Sequence, residues 1–136
     1  MTRLLITTLA LGALLAGCAQ SGSGSGLTGN TWEWTASTTT TPASQSVVPV
    51  PQNYTIEFKA NQTFEGKADC NQISGTWAST SGNGLTITLG TSTSAACGPD
   101  SLDSTYLEGL GKTSLYVQEE DKLILTQGAE GTMTFQ

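Results

Sequence analysis

Between Tyr54 and Cys70 the chain alternates apolar and polar residues twice over, and this period of two constrains the fold more than any other feature. Tyr54, Ile56 and Phe58 share one side of an extended segment, while Thr55 and Glu57 share the other. After a turn at Asn61-Gln62, Phe64, Gly66, Ala68 and Cys70 resume on one face, opposite Glu65, Lys67 and Asp69. Successive strand residues point to opposite faces, so the pattern predicts two half-buried strands joined as a hairpin. Ile73, Gly75 and Trp77 form a third run, and the turn Ser81-Gly82-Asn83-Gly84 leads into a fourth at Leu85, Ile87 and Leu89. Further on, Leu115 and Val117, then Leu123 and Leu125, flank the acidic turn Glu119-Glu120-Asp121, and Met133 and Phe135 close the chain. The run Leu27–Trp34 opens the domain, with Trp32 and Trp34 on one side of a strand and a core role as their default. Charged residues are only 12% of the chain, and abundant Thr, Ser and Gly suit strands and turns. The expectation is a strand-dominated α+β domain with about eight mostly antiparallel strands.

Two segments break the alternation. Ala36 to Gln52 is rich in Thr and Ser, carries Pro42, Pro49 and Pro51, and shows no sustained period. It predicts a long extended loop, with Val47, Val48 and Val50 able to cover an edge of the core. Behind Pro99, Asp100 or Ser101 can cap a helix with Asp103 in its first turn. Leu102, Tyr106, Leu107 and Leu110 fall on one helical face, and Gly111 suits its stop.

The first residues carry a different signal. Arg3 precedes an apolar run, Leu4 to Leu15, which as a helix reaches about 18 Å against a hydrocarbon core of ~30 Å, so it reads as an export leader. Leu15-Ala16-Gly17-Cys18 resembles a bacterial lipoprotein lipobox. The resemblance implies a signal peptide over 1–17, cleavage before Cys18, a lipid on its sulfur and acylation of the new N-terminus. Several acyl chains anchor stably at about 0.8 kcal/mol per buried CH₂. Residues 18–26, ending in a Ser-Gly tract, then form a tether of about 15 Å, and the folded domain spans 27–136. Ala19 stands where an Asp would favour inner-membrane retention, so in a Gram-negative host the expected place is the outer membrane, facing the periplasm.

With Cys18 given to lipid, Cys70 and Cys97 remain in an exported compartment and are natural disulfide partners. A redox-active pair is the alternative, but a Cys-x-x-Cys spacing is missing. The absence of His removes the Ser-His-Asp and Cys-His arrangements and the common His-containing zinc sites. Glu57 and Glu65 can be imagined as a carboxylate pair on neighbouring strands, and Glu119-Glu120-Asp121 as a weak calcium ligand set. Solvated hairpin charges explain both groups better. The net charge of −6, which becomes −7 once Arg3 leaves, gives a nucleic-acid partner no support. No metal or cofactor is expected.

Gly66-x-x-x-Cys70-Asn71-x-x-x-Gly75-x-Trp77, with Leu85 and Ile87, the Thr/Ser approach to Cys97, the Leu102–Leu110 helix and Lys122-Leu123-Ile124-Leu125, resembles the META/HslJ domain family. The chain departs from the family in having Thr93-Ser94-Ala95-Ala96-Cys97 where a Thr-x-Met-Ala-Cys ending is usual, and Trp77 where Tyr is usual. The resemblance implies an antiparallel sheet curved around a core, as a curved sheet or a partial barrel, with one short helix packed on it. It also implies structural rather than catalytic duty for the motif, with Asn71 in a turn and Gly66 and Gly75 at a bulge or a close backbone approach. The family is associated with envelope lipoproteins and stress responses, without an established reaction. A non-enzymatic envelope protein that binds or assembles is the leading expectation. A carrier or pilot-like binder of an acyl chain or hydrophobic peptide, with Trp32, Trp34, Trp77 and Tyr106 as its apolar surface, is one rival. A periplasmic inhibitor offering its acidic surface or the Ala36–Gln52 loop to a basic enzyme is another.

Overall fold

The computed structural model describes residues 26–136; the leader, the lipobox with Cys18, and tether residues 18–25 lie outside the described part. Nine antiparallel strands form one curved sheet: β1 (Thr31–Thr40), β2 (Ala43–Val47), β3 (Tyr54–Phe58), β4 (Thr63–Ala68), β5 (Asn71–Thr80), β6 (Gly84–Ser92), β7 (Leu115–Glu119), β8 (Lys122–Thr126) and β9 (Gly131–Phe135). One helix, α1 (Asp103–Gly111), follows β6, and a single 3₁₀ turn at Pro51–Asn53 precedes β3.

The sheet closes on itself because β1 is long enough to serve three neighbours. Its first part, Thr31–Glu33, pairs with β3; the stretch Trp34–Thr39 pairs with β9 along the other edge; and Ala36–Thr40 pairs with β2 beyond the end of β3. A bulge between Trp34 and Ala36 bends the strand where these pairings change over. The thin point of the ring is β6–β7, joined by Gly84↔Leu115 and by Leu85 and Tyr116 N–H groups donating to Ser114 and Asn83 carbonyls.

The predicted alternation sets the core. Tyr54, Ile56, Phe58, Phe64, Ala68, Ile73, Trp77, Leu85, Ile87, Leu123, Leu125, Met133 and Phe135 are all buried, and Leu27 is fully enclosed with them. At roughly 25 cal/mol per Å² of apolar surface, this cluster is the dominant favourable term of the fold. α1 lies across one mouth of the barrel. It starts where the Leu102 N–H donates to the Tyr54 hydroxyl (2.8 Å) and ends near the β8–β9 turn, where Gly109 sits against Met133 and Gln127. Tyr106 and Leu110 point into the barrel, and Leu102 and Leu107 pack at its margin.

Three expectations are corrected. Ala36–Gln52 is no loop: it holds the end of β1, the whole of β2 and the turn Thr41-Pro42 between them, which raises the strand count to nine. Cys70 does not continue the inward face of β4. The strand stops at Ala68, and Asp69-Cys70 is a two-residue hairpin loop whose first residue has φ 56°, the positive value primed turns require. Neither Asp100 nor Ser101 is the residue flanking α1. That position is Leu102, and Ser101 Oγ accepts from the Asp103 N–H (3.3 Å).

Candidate functional site

Asn71 is the first residue of β5 and, among the described residues, one of two buried polar or charged ones, at 5% exposure. Its Oδ1 accepts from the Ala95 N–H (2.8 Å) and the Thr93 hydroxyl (2.9 Å), while its Nδ2 donates to the Ala95 carbonyl (3.0 Å) and to Cys97 Sγ (3.3 Å). The side-chain amide thus pairs with Ala95 as a neighbouring strand would, holding the strap of residues 93–97 that leads from β6 towards α1. This is not the turn role implied for Asn71; the turn falls on the two residues before it. The Cys70–Cys97 disulfide fastens the same strap, with Cα atoms 5.5 Å apart and the Cys70 N–H donating to Cys97 Sγ (3.2 Å). A Cβ on Gly66 would fall on the Thr55 carbonyl oxygen, and one on Gly75 on the Thr88 carbonyl oxygen and the Phe64 ring. At both positions strands approach too closely for a side chain, and at Gly75 the β5–β6 register also shifts. Trp77 completes the motif by donating its Nε1–H to the Lys59 and Thr63 carbonyls (3.1 Å each), which ties down the β3–β4 turn.

The aromatic residues considered as an apolar binding surface are all buried, Trp32, Trp34, Trp77 and Tyr106 being between 0% and 8% exposed, and of the four only Trp34 borders a recess, described below. Trp32 donates to the Leu27 carbonyl, and Trp34 to the Ala36 carbonyl and Ser37 hydroxyl across its own bulge. Trp34 stacks on Tyr106 (5.4 Å between centroids), and Tyr54 meets both edge-on. The Tyr106 hydroxyl has no hydrogen-bond partner among the described residues, and burial alone pushes its pKa well above the usual phenol range, so it stays neutral. An unsatisfied buried hydroxyl costs on the order of 1–3 kcal/mol, so Tyr106→Phe is expected to raise the unfolding free energy by about 1 kcal/mol. Urea titration checks this; a loss of stability would mean that the hydroxyl has a partner.

The barrel is filled, but a groove lies outside it. The β1–β2 ribbon projects past the mouth that α1 crosses, and the space between ribbon and helix encloses about 680 Å³. Trp34 and Met133 form its floor, Leu102, Thr105 and Gly109 its helical wall, and Ser37–Thr41 with Ser46–Pro49 its ribbon wall. A smaller hollow of about 280 Å³ shares Pro49 and Leu102 with it and runs on to Cys97. Val47 and Val50 stand exposed beside this line, at 74% and 47%. At the far end Lys112 Nζ bridges Glu108 (2.8 Å) and Glu130 (2.7 Å). These bonds, that to Glu108 foremost, raise the Lys112 pKa and lower that of Glu108, so the three charges are committed to one another. Volume and lining suit a bound apolar group framed by hydroxyls. Sequence reasoning missed this site because its walls come from segments far apart in the chain.

The other charged candidates are surface features. Glu57 and Glu65 are direct cross-strand partners, and Lys59 Nζ lies 2.7 Å from the first and 3.7 Å from the second. Glu120 and Asp121 form the β7–β8 turn, and among the described residues no three Cys, Asp or Glu side chains gather as a metal site would require.

The fold is shared with solved structures. The crystal structure of a DUF4847 family protein from Bacteroides vulgatus ATCC 8482 superposes with a TM-score of 0.62 at 16% identity, covering 80% of this chain and 92% of that one. The NMR structure of a protein from Burkholderia xenovorans gives a TM-score of 0.64 at 24% identity, covering 81% and 82%. No curated protein matches the sequence. The META domain matches residues 25–136, nearly the whole of the barrel, its strap and its helix, and the chain therefore belongs to the META domain family.

Proposed function

We propose that this protein is a lipid-anchored, non-enzymatic component of the cell envelope, serving stress tolerance by binding or assembly, and that it binds in the groove between α1 and the β1–β2 ribbon. The groove carries this reading. It is the large apolar recess beside a filled barrel, and its ionisable groups are exposed and paired with one another rather than buried as catalytic groups commonly are. The lipobox-like run ending in Cys18 supports the anchor. The chain enters the fold at Gly26, beside Gln118 near the β7–β8 turn, whereas the groove lies at the β8–β9 turn. Successive turns of an antiparallel barrel lie at opposite ends, so the groove opens at the end opposite the point where the chain enters the fold.

The test is fractionation of the host envelope with a clickable fatty acid supplied during growth. The protein should carry the label and pellet with membranes, and Cys18→Ser should lose both. An unlabelled protein that retains residues 1–17 would overturn the anchor. The carrier reading survives only in the groove, since the barrel interior is occupied; lipid co-purifying in native mass spectra and lost from Thr105→Trp would favour it.

A further inference from the structure

Among the described residues, closing the barrel gives every strand a neighbour on both sides except β2, which pairs with β1 alone. The phase of the ladder says which backbone groups are left over. The Thr40 N–H donates to the Glu130 carbonyl (3.0 Å) on the β9 side, and the Val48 N–H donates to the Thr35 carbonyl (2.9 Å) on the β1 side. Even-numbered residues of the end of β1 therefore turn their backbone to β9, and odd-numbered ones to β2. Opposite them Ser44 and Ser46 face β1, which leaves the N–H and C=O groups of Ala43, Gln45 and Val47 pointing outward.

Exposed edges are templates for further strands, and proteins commonly blunt them with charges. This edge carries none: the chain has no charged residue between Glu33 and Glu57, and all five side chains of β2 are exposed. Pro42 and Pro49 bracket the strand without entering it. The C-terminal end of the edge borders the groove, where Val47 and Val48 line the wall. Charge narrows the occupant further. The rim holds Glu108 and Glu130 against Lys112 alone, within a domain of four Lys and eleven acidic residues, so a basic segment is favoured over an acidic one.

We propose that the free edge of β2 binds an extended, neutral-to-basic polypeptide segment as an additional strand, with apolar side chains of that segment entering the groove. This rests on the groove being the binding site. Backbone bonds to Ala43, Gln45 and Val47 supply register, and the groove selects alternate side chains.

The experiment is selection of a displayed random dodecapeptide library on the full-length protein in mild detergent. Peptides with apolar residues at alternate positions and net positive charge should enrich. Gln45→Pro removes the central outward N–H while sparing the β1–β2 bonds, as proline on an edge allows. It should weaken binding at least tenfold, and N-methylation of alternate peptide residues should do the same on the unaltered protein. Failure of any peptide to enrich, or equal binding by Gln45→Pro and by methylated peptides, overturns strand addition. If Thr105→Trp, which fills the groove, still abolishes binding in that second case, the groove reading stands without the edge. A concentration-dependent dimer that Gln45→Pro dissociates would assign the edge to a second copy and also overturn the proposal.

Discussion

Asn71→Ala is expected to lower the unfolding free energy by about 3 kcal/mol, measured by urea titration with the disulfide intact. Truncation removes both bonds to Ala95 and those to Thr93 and Cys97 at a buried position. A neutral hydrogen bond contributes about 1 kcal/mol net, and a buried group left without its partner costs a further 1–3 kcal/mol. Thr93 and Ala95 are exposed, so water reaches part of what the amide leaves behind and the loss stays near the lower end of that sum. Asn71→Asp is the sharper variant: it keeps the acceptor for the Ala95 N–H but turns a carboxylate towards the Ala95 carbonyl and Cys97 Sγ. It should be no more stable than the alanine variant near neutral pH. A loss under about 1 kcal/mol for both variants would mean that the strap is held by something other than Asn71.

The same residue shows where sequence reasoning succeeds and where it stops. Asn71, Ile73 and Trp77 share one parity, and β5 buries that face, so alternation carried one step back from Ile73 would have placed Asn71 inside. Alternation carried forward from Ala68 instead made Cys70 an inward residue, because nothing in the side-chain pattern announces a turn at Asp69-Cys70. The backbone does so, through the positive φ of Asp69, and an aspartate tolerates that conformation without requiring it. β2 left no trace for a related reason. A strand exposed on every residue has no buried face and hence no period, and Ala43–Val47 reads as polar loop. The family resemblance alone pointed to a curved sheet or partial barrel; the residue pattern was silent on its closure and on the groove, since both depend on β1 meeting β9 almost a hundred positions later in the chain.

Replacing both Cys70 and Cys97 with Ser is expected to cost about 3–4 kcal/mol, the chain-entropy value for a bridge between residues 27 apart. Such a loss is a large fraction of a small domain's stability. The fold should nevertheless survive, because the Asn71–Ala95 bonds hold the strap without help from either sulfur. Near-ultraviolet circular dichroism of the double-serine protein should retain the signal of the Trp34–Tyr54–Tyr106 cluster. Its loss would show that the disulfide alone positions the strap. Combining the double-serine change with Asn71→Ala removes both fastenings at once. The strap then releases Leu102, whose N–H meets the Tyr54 hydroxyl at the start of α1, and the helix loses its register over the barrel mouth. The triple variant should therefore lose more than the sum of its parts, by at least about 0.5 kcal/mol, as fastenings that share one element do. Strict additivity would mean that bridge and amide act independently. The groove makes the distinction matter for binding, since Leu102 forms part of its helical wall. A strap held twice keeps that wall in place, and one held once should bind more weakly before it unfolds.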